Sequence, residues 1–269
     1  MTHIKTKSFT LIELLVVISI IGLLSSIVLV NTRGSRDKAK IAKSLETSQA
    51  IHNSLGSEAV GVWDFDNCTG QDSSGNGNNG TISGAVCSSD TPYSVVGQGS
   101  GKNSLSFDGV DDYVTMPHSA NLEPASIAVA FWAKLEDQSD RHCLVTKWSG
   151  FTTEVNADRT FRWGLLGPSN QYFGTKKINW NQWYYLVGTF DNTTKRQCIY
   201  INGTQTECQT VTGDINYNQS PLYLSGAWDH AKGLIDDVRI YSQALSQSQI
   251  QQQYVEGLKI HNNLVLLDK

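Results

Sequence analysis

The chain has 269 residues, with 25 acidic against 21 basic side chains and a formal net charge of −4. That charge conceals a basic stem up to Ala59 and a Gly-, Asn- and aromatic-rich acidic remainder. An acidic remainder of this kind argues against nucleic acid as a partner, because phosphate binding needs clustered Lys and Arg. The first element in chain order is an apolar run from Phe9 to Val30 whose only charge is Glu13. At about 1.5 Å per helical residue, roughly 20 such residues cross the ~30 Å hydrocarbon layer of a bilayer. A carboxylate facing lipid unpaired costs about 2–3 kcal/mol or more, so Glu13 calls for a cation, and another chain is the obvious source. Arg33, Arg36, Lys38, Lys40 and Lys43 close the run. Ile41, Leu45, Ser48, His52 and Leu55 then keep three- and four-residue spacing, which predicts an amphipathic continuation and linker over 32–59 with Gly56 as a stop.

The stretch Lys7-Ser8-Phe9-Thr10-Leu11-Ile12-Glu13-Leu14 resembles the type IV prepilin and pseudopilin signature. The resemblance implies a leader over residues 1–8, cleavage after Ser8 by prepilin peptidase, and N-methylation of the new terminus at Phe9. It also implies a membrane and filament-core helix over 9–31, with Glu13 pairing the terminal amine of a neighbouring pilin subunit. Ser8 departs from the Gly that the family favours before the cut. Lys5 and Lys7 would hold the leader on the cytoplasmic side, with the head outside the inner membrane of a bacterium before transfer to a filament or pseudopilus. A plain transmembrane anchor is the alternative. A secretory signal peptide fits less well, because its apolar core runs about 7–15 residues and its small-residue cut follows that core.

From Val60 the pattern becomes all-β, and some 200 residues suffice for one β-sandwich. Short alternating runs at 60–65, 104–107, 113–116, 127–132, 183–190 and 198–201 lie between Gly, Asn and Asp clusters. Asn202-Gly203 is a hairpin turn signal. Cys198 and Cys208 flank it almost symmetrically, so a three-residue loop would set them face to face across the hairpin. Cys68 and Cys87 bracket a Gly-Asn loop that a disulfide would pin, which leaves Cys143 either buried and free or available between chains. Ser246 with Gln249 three residues on predicts a capping box that opens a short helix to about Leu258, with a tail over 258–269. The fold predicted is thus mainly β: a long N-terminal hydrophobic helix, an antiparallel jelly-roll sandwich over 60–257, and a short C-terminal helix.

Three segments carry a second resemblance. They are Asp72 to Thr81, Leu105-Ser106-Phe107-Asp108-Gly109-Val110-Asp111-Asp112-Tyr113, and Gly233-Leu234-Ile235-Asp236-Asp237-Val238-Arg239-Ile240-Tyr241. In this order they resemble the laminin-G-like, or concanavalin A-like, jelly-roll domain. The resemblance implies two stacked antiparallel sheets, glycan or protein binding, and often a structural calcium, with Asp236 facing the loop. From the residues themselves, calcium seeks six to eight oxygens on a tightly turning loop. Asp72 and the Asn residues through Gly80, Asn78 among them, supply such oxygens, with Asp236 closing the site and Asp111 or Asp112 as further candidates. The competing reading is a Gly-Asn turn in which Asp72 makes an Asx-type hydrogen bond.

Trp63, Trp132 and Trp183 lie in alternating runs and are expected inside. Trp148, Trp163, Tyr172 and Trp228 fall in polar or Gly-containing stretches, where an exposed ring could stack on a sugar; the competing reading has them covering sheet edges. No Glu-x-Asp-x-x-Glu run and no His cluster with ligand spacing is present, so catalysis is not expected. The function predicted is a type IV pilin-like surface filament subunit whose head mediates adhesion to a glycan or surface protein. The alternative is a pseudopilin forming a structural tip of a secretion or DNA-uptake apparatus, with no sugar ligand.

Overall fold

A computed structural model of the chain describes residues 10–21, 58–92, 102–166 and 171–262, with side chains to Leu258. The leader, the Ser8–Phe9 junction, the stretch 22–57 with its predicted amphipathic continuation, and residues 263–269 lie outside the described residues. Two compact units divide the chain, 1–53 and 54–269.

In the first unit, helix α1 covers residues 11–21 and every one of its residues is exposed. Thr10 and Glu13 form a reciprocal cap at its start. The Thr10 N–H and hydroxyl donate to Glu13 Oε2 at 2.8 and 2.9 Å, and the Glu13 N–H donates to Thr10 Oγ1 at 3.3 Å. Among the described residues no helix is long and apolar enough to cross a membrane.

The second unit is a sandwich of two antiparallel sheets. Its strands are β1 (Ala59–Trp63), β2 (Thr81–Ser83), β3 (Val86–Ser88), β4 (Ser104–Asp108), β5 (Tyr113–Met116), β6 (Ile127–Leu135), β7 (His142–Lys147) and β8 (Phe151–Val155). They continue as β9 (Phe161–Leu165), β10 (Gln171–Phe173), β11 (Trp183–Asp191), β12 (Arg196–Ile201), β13 (Thr204–Thr210), β14 (Leu222–Leu224) and β15 (Lys232–Tyr241), before helix α2 (Gln247–Asn262). The eight-stranded sheet runs β13-β12-β11-β6-β15-β4-β3, with β1 also paired to β15, and the seven-stranded sheet runs β10-β9-β8-β7-β14-β5-β2.

Strand alternation explains how the core forms between them. Ile127, Val129, Phe131, Ala133 and Leu135 of β6 meet Phe151 and Val155 of β8 and Phe161, Trp163 and Leu165 of β9 in one buried cluster. Of the β6 residues between them, Ala128, Ala130 and Trp132 are buried too, whereas Lys134 is partly exposed. On that outer face Trp132 lies 5.6 Å from the ring of Tyr254 in α2 and 5.2 Å from Tyr185. Gln253 locks the helix down: its Oε1 accepts from the Tyr185 hydroxyl and its amide donates to Tyr241 Oη, both at 2.6 Å. The capping box expected at Ser246 is formed, with the Ser246 N–H donating to Gln249 Oε1 at 2.8 Å and the Gln249 N–H donating back to Ser246 Oγ at 3.4 Å. The helix continues to Asn262, four residues past the predicted end.

Both expected disulfides are formed, Cys68–Cys87 and Cys198–Cys208. Cys143 is free and buried. The second disulfide arises differently from the expectation. Ile201 pairs with Thr204, so Asn202 and Gly203, both at positive φ, make a two-residue loop. A bulge at Thr206 then shifts the register, so that Ile199 faces Glu207 and Cys198 faces Cys208. Without that extra residue Cys198 would face Glu207.

Candidate ligand platform on the seven-stranded sheet

The pairing of β7, β8, β9 and β10 places one set of side chains on the face turned away from the core. Glu154 stands opposite Cys143 on one side and Arg162 on the other, Thr152 opposite Thr146 and Gly164, and Tyr172 opposite Gly164. Gly164 is needed where it is: a Cβ there would lie 2.6 Å from the Tyr172 ring. The ring therefore lies over the strand and receives the Arg162 guanidinium at 5.0 Å from its centroid. Arg162 Nη1 also donates to Glu154 Oε1 at 3.2 Å.

The other half of the platform comes from loops. Arg141, just before β7, bonds through Nε to Asp229, lies 3.5 Å from Glu154 Oε2, and packs 5.6 Å from the ring of Trp228. Trp228 meets Trp148 edge to face at 4.4 Å. A connected strip results: Trp148, Trp228, Arg141, Glu154, Arg162, Tyr172. The three rings are half-buried, whereas the Glu154 side chain is only 1% exposed. Burial pushes the Glu154 carboxyl above its usual range, with Arg141 and Arg162 pulling it back. Beside it, burial drives the Cys143 thiol up to about 11, so the thiol stays protonated and unreactive at neutral pH. A polar cavity of about 360 Å³ adjoins the strip, lined by Trp228, Asp229, His230, Asp108, Gln138 and Lys232 among others.

The structure thus joins Trp148, Trp228 and Tyr172 through two arginines. It does not add Trp163, which is fully buried and donates its Nε1–H to Thr189 O at 3.1 Å. Among the rings expected inside, Trp63 and Trp132 are buried, but Trp183 is half-exposed and bonds Asp90 at 2.9 Å. Sequence inspection missed Arg141, Glu154 and Arg162. The alternation in Phe151-Thr152-Thr153-Glu154-Val155 was the available signal, since it sets Glu154 opposite to its apolar neighbours.

The candidate calcium ligands Asp72, Asn78 and Asp236 each make hydrogen bonds within the fold. Asp72 and Asn78 do meet, but as a fold staple: Asp72 Oδ1 accepts from the N–H groups of Val62 (3.0 Å) and Ser74 (2.9 Å), and Oδ2 from that of Asn78 (2.8 Å). The Asn78 side-chain amide donates to Val60 O at 2.7 Å, and the Asn78 backbone carbonyl receives Trp63 Nε1–H at 3.0 Å. This is the Asx-type reading extended to the whole loop. Asp236 lies in the middle of β15 rather than at its start, and its electrostatic neighbours are Asp237, Asp66 and Lys102. Burial holds its carboxyl well above the usual range. Asp237 sits at a bulge with φ of 48°, which breaks the strand alternation at the Asp pair. Among the described residues, a group that could hold a cation is Asp108, Asp111 and Asp112, whose oxygens lie within 4.8 Å of one another. Its turn is held internally, the Asp108 N–H donating to Asp112 Oδ2 and the Val110 N–H to Asp108 Oδ1, both at 2.8 Å.

Comparison with known proteins bears on both units. A model of the concanavalin A-like lectin/glucanases superfamily matches residues 108–251, more than half of the chain. A model of the prokaryotic N-terminal methylation motif matches residues 5–29. The type II secretion system core protein G of Escherichia coli (strain K12) is 43% identical over 51 residues, 19% of this chain and 35% of that protein. This chain therefore spans about a third of that relative's length. Domain 4 of an extracellular arabinanase from Geobacillus stearothermophilus, solved in complex with arabinotriose, superposes with a TM-score of 0.56 at 21% identity, over 72% of this chain and 97% of that one. The binding domain of Paraclostridial Mosquitocidal Protein 1 gives 0.61 at 16% identity, over 74% and 52%. The botulinum neurotoxin serotype D binding domain gives 0.60 at 16%, over 76% and 53%. At these identities the structural likeness is one of fold.

Proposed function

The chain belongs to the concanavalin A-like lectin/glucanase superfamily, and on that footing we propose that it is a pilin-like filament subunit whose sandwich head binds a glycan against Trp148, Trp228 and Tyr172. The observation that carries the reading is the strip itself. Three half-buried rings, two of them backed by guanidinium groups, form one strip, and Trp228 among them lines a polar cavity. Rings of this kind stack on the C–H faces of sugars, and fixed N–H groups orient the hydroxyls. The fold neighbour solved with arabinotriose supports a saccharide as ligand. The role is binding rather than hydrolysis, since both carboxylates of the strip, Glu154 and Asp229, are committed to Arg141. A glycan array probed with the full-length protein in detergent tests this. Binding that Trp228→Ala abolishes is expected, and silence of the wild type across a broad array would refute the glycan role.

The methylation motif supports membrane insertion, cleavage after Ser8 and methylation at Phe9, followed by assembly with other pilin subunits through Glu13. In the single chain Glu13 is satisfied by Thr10. Joining a filament would exchange or share that cap with the neighbour's amine. Mass analysis of the N-terminus recovered from cells should find methylated Phe9. Glu13→Ala should abolish filaments while leaving the head folded. The likeness to the secretion core protein favours a second reading, a pseudopilin tip; it predicts lost secretion in a deletion strain and no glycan binding. A cation at Asp108, Asp111 and Asp112 would rigidify the turn lining the cavity, and a melting temperature unchanged by chelator would remove it from the account.

A further inference from the structure

We propose, resting on the glycan reading above, that Glu154 sets the class of saccharide this face accepts: neutral oligosaccharides, with acidic ones disfavoured because the buried carboxylate cancels guanidinium charge from within. Arginines beside aromatic rings would ordinarily recruit carboxylated sugars, since the guanidinium fork matches a carboxylate in two parallel bonds. Here that charge is already answered. Arg141 is held between Asp229 and Glu154, and Arg162 is bonded to Glu154. Two cations and two anions leave the strip without net charge.

Depth separates Glu154 from the other three charges. The Glu154 side chain is 1% exposed, while those of Arg141, Arg162 and Asp229 are 39%, 32% and 36% exposed. The arginines and Asp229 therefore reach the surface, and the anion that both arginines share does not. The compensation is also fixed by backbone register, because Glu154 and Arg162 are direct partners across β8 and β9. It is not a mobile pair that an incoming anion could displace cheaply. Glu154 Oε2 is buried and accepts no hydrogen bond among the described residues, so the carboxylate acts there through charge. Each guanidinium has five N–H donors, and the described residues engage only a minority of them. The remainder, beside the rings of Trp228 and Tyr172, suit hydroxyl and ring oxygens of an uncharged sugar.

Calorimetry on the full-length protein in neutral detergent tests this, with arabinotriose and cellotetraose as neutral probes and trigalacturonate as the acidic probe, at low and high salt. The wild type should bind a neutral probe with little salt dependence and bind trigalacturonate about tenfold more weakly or worse. Glu154→Gln should raise trigalacturonate affinity about tenfold, the scale of one uncompensated charge at a partly screened surface. That new binding should be salt-sensitive, and it is read as a rise in the ratio of acidic to neutral affinity. Wild-type preference for trigalacturonate, or an unchanged preference in a folded Glu154→Gln protein, overturns the assignment of class while leaving the glycan site standing. No binding of any probe, or binding indifferent to Trp228→Ala, overturns the site and this inference together.

Discussion

Over the eight-stranded sheet, Trp132, Tyr185 and Tyr254 stack into a closed layer under α2. Over the seven-stranded sheet, Trp148, Trp228 and Tyr172 lie against arginines with part of each ring in solvent. Both faces are aromatic, so composition does not separate them. The polar partners do. On the closed face the polar groups close on one another: Gln253 joins Tyr185 and Tyr241, Arg239 paired with Asp237 also bonds Tyr241, and Trp132 is 3% exposed. On the open face they are charged, paired to one another, and surplus in donors. A face that ends its hydrogen bonds internally is built for stability, and one that leaves donors over beside half-exposed rings is built to meet something.

If that contrast holds, the largest stability effect belongs to the closed face. Trp132→Ala removes a ring from beneath α2 and should destabilise the head by about 3–5 kcal/mol in chemical denaturation. A loss below about 1 kcal/mol would mean that α2 is only laid on the sheet. Gln253→Leu should follow at about 1–3 kcal/mol, because it strands the buried Tyr185 hydroxyl and leaves that of Tyr241 with Arg239.

An acid-dependent effect belongs to the open sheet. His142 of β7 is fully buried, receives the Lys232 N–H at 3.1 Å and packs 5.2 Å from Trp180. Burial lowers its pKa to about 4, so the folded protein keeps the ring neutral. The unfolded chain takes up a proton near pH 6.5 and the fold does not until about pH 4. Stability is therefore lost as pH falls through that window, by on the order of 3 kcal/mol at its lower end. Glu154 and Asp236 act in the opposite sense, since carboxyls raised by burial favour the fold on protonation. His142→Gln should remove the destabilising slope and leave theirs, and equal pH slopes in wild type and variant would contradict this account.

Much of the architecture was legible because it rests on period. Alternation placed the strands around Phe131 and Phe190, Asn202-Gly203 gave the hairpin, and Ser246 with Gln249 gave the helix start. What period could not supply is where alternation breaks. The bulge at Thr206 decides which residue Cys198 faces, and the positive φ of Asp237 redirects the Asp pair of β15. The loop Asp72 to Gly80 was ambiguous for another reason: the same carboxylate and amides serve a cation or backbone N–H groups, and only the bonds of Asp72 show which. The platform was half legible. Its rings stood out in polar context, but Glu154 and Arg162 come together through register and Arg141 reaches them from the loop before β7.

The smallest stability effect should come with the sharpest functional one. Trp228 is half-buried and touches Trp148 and Arg141, and neither partner lies in the cluster between the sheets. Its removal gives up an edge-to-face contact and a cation–π contact, each about 0.5–1 kcal/mol at exposed sites. Part of that returns as the freed Arg141 is hydrated. Trp228→Ala should therefore unfold within about 1 kcal/mol of the wild type while losing glycan binding. Should it instead destabilise the head as Trp132→Ala does, the two faces would be alike in purpose, and Trp228 would be a lid over Arg141 rather than a surface for sugar.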